Sequence, residues 1–236
     1  MRRVARFKLN ANYTLQFVEG TGSDDQSQSN LVSSNQPNFR TIYPVSTDNR
    51  HQIKLALDYR FERGANYKGP MVGNHQILAD FGVNLAFNLR SGSPQRQGAT
   101  VTDEATSDIG TGSGAGRSRT VSLNARLPWY SRLDLRINKD YEFNLGKKKE
   151  GKEPRTMGIS IYVYIQNLLN TQNVLTQYAY TLSASDDGYL AAPSSAISIN
   201  AKTSPQAYKD QYRAKVNNPD NYSLPRRIYI GANINF

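Results

Sequence analysis

The chain has no cysteine and only two histidines in 236 residues. The first absence excludes a disulfide framework, a thiolate nucleophile and a sulfur-ligated metal site. The second leaves His51 and His75 too few for a histidine-rich metal cluster. No apolar run approaches the roughly 20 residues of a membrane helix. Acidic residues are scarce: 19 against 29 Lys and Arg give a net charge of +10 and a pI of about 9.7. With a mean hydropathy of −0.64, that balance taken alone describes a soluble nucleic-acid binder. Low average hydropathy does not exclude a membrane β-barrel, because only alternate residues of its strands meet lipid. A continuous apolar start is also missing. Met1-Arg2-Arg3 leads into Val4-Ala5-Arg6-Phe7-Lys8-Leu9-Asn10, so no signal peptide is expected, and the chain is either cytoplasmic or a piece of a longer precursor.

What is present is period-2 alternation, with little helical periodicity. Six segments carry it, at about 3–18, 51–62, 77–90, 128–145, 156–169 and 226–236. The first sets Phe7, Leu9, Ala11, Tyr13, Leu15 and Phe17 against Lys8, Asn10, Asn12, Thr14 and Gln16. The second sets Ile53, Leu55, Leu57, Tyr59 and Phe61 against Gln52, Lys54, Asp58, Arg60 and Glu62. The others repeat the pattern, ending with Ile228, Ile230, Ala232, Ile234 and Phe236 against Tyr229, Gly231, Asn233 and Asn235. Such segments exceed the five or six residues usual in soluble strands and suffice to cross a bilayer at a tilt. A large antiparallel sheet with one solvated face alternates in the same way.

The connections separate the two readings. Those at 19–50, 91–127 and 170–225 are long, and those at 63–76 and 146–155 are short, in strict alternation. Outer-membrane barrels place long loops outside the cell and short turns in the periplasm. The sequence therefore predicts an all-β, antiparallel transmembrane barrel segment, rising from the periplasmic side and ending there at Phe236. Trp129 and Tyr130 at one end of the fourth segment, with Tyr141 and Phe143 at the other, are expected to form interface aromatic girdles. Lys139 falls on the apolar side as an apparent defect, tolerable near an interface by snorkelling or at a bulge.

Motifs for chemistry do not hold. The run Gly110-Thr111-Gly112-Ser113-Gly114-Ala115-Gly116 lacks the spacing and the Lys of a phosphate loop, and Arg117 onward starts no helix. It reads as a flexible loop. Asp24-Asp25 and Asp186-Asp187-Gly188 lack the spacing and the distal Glu of a calcium loop. His51 and His75 fall near opposite ends of the second segment, and no Ser-His-Asp constellation stands out. No enzyme, metal site or cofactor is expected. Lys147, Lys148, Lys149, Lys152 and Arg155 crowd one short turn, Arg2 and Arg3 lie at the same level, and Arg226 and Arg227 mark the opposite end. They read as interface charge, with pairing to outer-leaflet phosphates the second reading for the last pair. Nucleic-acid binding would need bases and aromatics on one face, whereas here they divide between two.

The final segment, Tyr222-Ser223-Leu224-Pro225-Arg226-Arg227-Ile228-Tyr229-Ile230-Gly231-Ala232-Asn233-Ile234-Asn235-Phe236, resembles the C-terminal signal strand read by the barrel-assembly machinery. In it Ile228, Ile230, Ala232, Ile234 and Phe236 are the signal positions. Ile161-Tyr162-Val163-Tyr164-Ile165-Gln166-Asn167-Leu168-Leu169-Asn170 resembles the penultimate strand of TonB-dependent outer-membrane receptors, and Arg132 to Tyr141 the strand before it. The resemblance is specific from about residue 128 onward and architectural before it.

It implies that residues 1–236 are the C-terminal part of such a receptor, the last six strands of a 22-stranded barrel. The signal peptide, the energy-coupling box, the plug and the earlier strands are then absent. Asn84, Asn88, Arg136, Tyr162 and Tyr164 are expected to face the lumen and its plug. Partners follow: outer-membrane lipid, the rest of the receptor, the barrel-assembly machinery, and TonB only through the missing N-terminal part. Six strands fall below the eight of the smallest single-chain membrane barrels, and an open sheet leaves unpaired edges in lipid. The alternatives are a pore or structural barrel built from several copies without energy coupling, and a soluble basic β-protein.

Overall fold

The computed structural model describes residues 6–21, 33, 35, 42–95, 97, 125–145 and 155–235. Alternation becomes six long strands: β1 (Phe7–Leu15), β2 (His51–Arg60), β3 (Phe81–Arg90), β4 (Tyr130–Leu145), β5 (Arg155–Gln166) and β6 (Arg227–Asn235). They form one antiparallel sheet in chain order, each strand beside its sequence neighbours. The outer edges of β1 and β6 have no partner strand among the described residues, so the sheet is open.

Register keeps the large aliphatic side chains of the strands on one face. Leu9, Leu57, Leu85, Leu135, Ile165 and Ile228 form one row across all six strands. Phe7, Tyr59, Val83, Ile137, Val163 and Ile230 form the next. A slip of one residue anywhere would put an apolar strand face among polar neighbours, which is what fixes the pairing. The long connections all leave from the end marked by Leu15, His51, Arg90, Tyr130, Gln166 and Arg227, the short ones from the other.

Strand ends fall short of the alternating pattern where the backbone turns. The third strand begins at Phe81 rather than near 77, because Ile77–Asp80 forms a turn with Asp80 at φ 56°. The fifth stops at Gln166, because Asn167 adopts φ 53°. Positions 16–18 leave β1, with the Val18 amide bonded to Asp48. Phe236, Arg2, Arg3, Lys147–Lys152 and the Gly-rich run 110–116 lie outside the described residues.

The buried core is not on the sheet. It lies in the connection from β5 to β6, which alternation alone reads as a loop. There Tyr178, Tyr189, Ile199, Tyr212 and Val216 pack together. Two helices supply part of it, α1 (Pro193–Asn200) and α2 (Pro205–Val216). Each begins with proline, whose fixed φ and missing N–H suit a first helical position. In α2, Tyr208, Tyr212 and Val216 recur every four residues and make one apolar stripe. Arg213 and Lys215 sit in its last turn, where positive charge complements the helix dipole.

Candidate functional site: the two faces of the sheet and its long-loop end

The apolar face is open over much of its width. Leu9 is 51% exposed and Ile230 78%, with Phe7, Leu55, Ile161, Ile228 and Ile234 also exposed. An apolar surface of this extent is far beyond isolated exposed side chains and marks a surface that meets lipid or another protein. Ile228, Ile230, Ala232 and Ile234, the positions expected of a signal strand, all lie on it, opposite Ile165, Val163, Ile161 and Ile159.

Aromatic rings sit at both ends of this face. At the long-loop end Trp129 stacks on His51 at 5.9 Å, and His51 stacks on Tyr13 at 6.3 Å. Tyr13 also bonds through its hydroxyl to His51 Nδ1 at 2.9 Å. At the other end Tyr141 and Phe143 stack at 6.4 Å. Tyr130 departs from the expected girdle: it pairs with Arg90 on the polar face, beneath the guanidinium at 4.6 Å. Strand parity is the reason, since Tyr130 is even-numbered with Arg132 and Asp134, whereas Leu133 and Leu135 are odd.

Lys139 belongs to the apolar row, between Phe81 and Ile161. It is neither bulged inward nor left bare. Its ammonium donates to the Ile77 carbonyl at 3.0 Å and to that of Ala79, and lies 5.6 Å from the Tyr141 ring centre. The turn that shortens β3 thus supplies its acceptors.

Asn84, Asn88, Arg136, Tyr162 and Tyr164 all lie on the polar face. Asn84 stands between Asp58 and Arg136, and Asn88 between Lys54 and Arg132. Arg136 stacks over the Tyr162 ring at 4.6 Å, and Tyr164 stacks on Tyr229 at 6.0 Å. Tyr162 lies flat across Gly231, where any Cβ would come within 2.6 Å of the ring. Arg132 forks onto Asp134, Nε to Oδ1 at 2.8 Å and Nη2 to Oδ2 at 2.7 Å.

Three asparagines tie the long-loop ends of β4, β5 and β6. Asn167 donates to the carbonyls of Thr171 and Leu224. Asn170 accepts from the Arg226 amide at 2.9 Å. Asn173 holds Ser131 and Ser223. The left-handed backbone at Asn167 and Asn170 suits asparagine better than most residues. At the same end of β1–β4, Asp48 is fully buried. It receives Arg126, Arg50 and the Val18 amide, while Arg126 also donates to the carbonyls of Asp48 at 2.8 Å and Gly92 at 3.2 Å. Burial alone raises the Asp48 pKa, but the Arg126 and Val18 hydrogen bonds and the two guanidinium charges outweigh it and hold the carboxyl below its ordinary range.

Above the sheet end, a cleft of about 830 Å³ opens beside α2, lined in part by Gln172, Asp186, Arg213 and Tyr222. Asp186 and Asp187 are engaged in turns, accepting from the amides of Gly188 and Tyr189, and Asp187 also accepts from the Tyr212 hydroxyl at 2.6 Å. Among the described residues no group of three or more His, Asp or Glu could hold a metal. His51 and His75 stand at opposite ends of the sheet.

Sequence reading found both faces but missed the asparagine ties, Asp48 and the helical insert. For the insert the signals were Pro193, Pro205 and the Tyr208-Tyr212-Val216 spacing. Comparison with protein-family models, curated proteins and solved structures finds no match to this chain.

Proposed function

We propose that this chain is the C-terminal barrel portion of a TonB-dependent outer-membrane receptor, part of an uptake system for a scarce external ligand. One observation carries the reading: a six-stranded sheet whose apolar rows run in register from edge to edge on an uncovered face. Lipid covers such a face without further protein. Burying apolar area is favourable by about 25 cal/mol per Å², which water cannot offer this surface.

Three further features support it. All three long connections leave one end, as extracellular loops do in outer-membrane barrels. Trp129 with Tyr13, and Tyr141 with Phe143, sit at the two ends of the apolar band. Both edges are open, and earlier strands of the receptor would pair with them, since an unpaired edge in hydrocarbon costs several kcal/mol per group. The polar face then lines the lumen, and the insert between β5 and β6 stands at the mouth.

The open edges equally admit a second reading, in which β6 of one copy pairs with β1 of the next in an oligomeric pore without energy coupling. Two measurements decide. Recovery of the folded chain as a monodisperse monomer in detergent-free buffer overturns both membrane readings. Native mass spectrometry from detergent then separates them: a closed ring of identical copies supports the pore. Stable capture of an N-terminal strand-and-plug fragment encoded just upstream supports the receptor.

A further inference from the structure

We infer that the polar face carries a recess for a polyol bearing an anionic group, the chemistry shared by sugar phosphates and uronic acids. Register sets Asn10, Ala56, Ala86 and Asp134 in one row across β1 to β4. The next row, toward the long-loop end, is Asn12, Lys54, Asn88 and Arg132. Two methyl side chains among long polar ones leave a hollow of about 500 Å³. That volume is ordinary for a small-molecule site.

Two features of the recess call for a ligand, and they are independent. The amide oxygens of Asn10 and Asn88 are both buried without a hydrogen-bond partner. Buried acceptors in native proteins are nearly always paired, so a ligand that engages these two side chains carries donors. Charge is the second feature. Arg132 is neutralised by its fork onto Asp134. Lys54, on the wall, makes no ion pair among the described residues, and one row above it the Arg90 guanidinium lies over the Tyr130 ring. Lys54 thus places positive charge on the recess wall, with Arg90 one row above it. A hydroxylated anion satisfies both features, its charge on Lys54 and Arg90 and its hydroxyls on Asn10 and Asn88.

The inference rests on the proposed function only in taking this face to line a lumen. Binding to the recess does not require closure of a barrel, so the two fail separately. The test titrates the full chain in detergent micelles with glucose 6-phosphate, glucose and inorganic phosphate. Calorimetry reads affinity, and the side-chain amide NMR signals of Asn10 and Asn88 report the site. Glucose 6-phosphate is expected to bind saturably, at least about tenfold tighter than glucose or phosphate, and to shift both amides. Lys54→Met, on an exposed side chain, is expected to weaken it by about tenfold, the loss usual for a charged hydrogen-bond partner. Ala86→Leu fills the hollow and is expected to abolish it. Equal affinity for phosphate and glucose 6-phosphate overturns the inference, as does binding of glucose at the same strength. So does weak association that salt screens and Lys54→Met leaves unchanged, or no binding at all.

Discussion

Asn173 treats Ser131 as a strand would. Its Oδ1 accepts the Ser131 amide at 2.8 Å and its Nδ2 donates to the Ser131 carbonyl at 2.9 Å. One side chain of a residue only 3% exposed thereby continues the ladder beyond the point where β5 ends. The Ser223 amide returns to the Asn173 carbonyl at 2.8 Å. The insert between β5 and β6 is thus fastened to the sheet at both of its ends.

Removing that side chain leaves two backbone groups without partners. Asn173→Ala is expected to lower stability by about 1–3 kcal/mol, the cost of unsatisfied buried polar groups. Asn173→Asp keeps the acceptor, loses the donor to the Ser131 carbonyl and is expected to fall between. Hydrogen exchange locates the effect. The Ser131 amide should lose protection in Asn173→Ala, while amides in the middle of β2 and β3 keep theirs.

Lys139 makes a complementary prediction, because its environment is apolar on the strand and polar at the tip. Lys139→Met would pack between Phe81 and Ile161 but strip the Ile77 and Ala79 carbonyls of their donor. The variant is expected to lose about 1–3 kcal/mol despite being more apolar. If the lysine were only a tolerated defect on a lipid face, the same change would stabilise the protein. Denaturant titration in micelles distinguishes the signs.

Asp48 links stability to pH. Its folded-state pKa lies below that of the unfolded chain, so its contribution is complete above the ordinary aspartate value and disappears as pH falls through the folded one. Asp48→Asn should therefore flatten the acid limb of the stability curve and lower the plateau near neutrality. Arg126→Met leaves the buried carboxylate with Arg50 and one amide. It is expected to cost about 3 kcal/mol, the low end for breaking a buried pair, because Arg50 remains. Thermal unfolding at pH 7 and at pH 3 checks both.

How much of this was legible beforehand follows from what each feature depends on. The sheet order and its two faces follow from alternation, because a period of two is a local property and Leu9, Leu57, Leu85 and Leu135 had only to be aligned. The acceptors of Lys139 were not legible. They come from a turn about 60 residues away, created by the left-handed backbone of Asp80. Tyr130 was legible by parity, yet its adjacency to Trp129 suggested a shared role that a strand cannot give to neighbours. The helices hid because apolar residues are sparse in the connection, with Ile197 turned outward at 82% exposed and a stripe of only three residues in α2. The recess needed register as well as pattern: Ala56 and Ala86 each interrupt the polar side of a strand by one small residue, and only their pairing makes a hollow.

The medium around the apolar face can be read from one residue. Ile230 lies on β6, 78% exposed, in the row with Val163 and Ile137. In water, replacing so exposed a side chain with arginine alters stability by no more than about 0.5 kcal/mol. In a bilayer the same change near the midplane costs about 2–4 kcal/mol, falling toward zero at the interfaces. Asn233, on the opposite face and paired with Ser160, supplies the control. Ile230→Arg is therefore expected to reduce folding into lipid vesicles strongly, and Asn233→Arg to leave it nearly unchanged. Urea titration of both variants in vesicles measures the difference. Equal and small effects would mean that no hydrocarbon meets this face, and the receptor and pore readings would fall together.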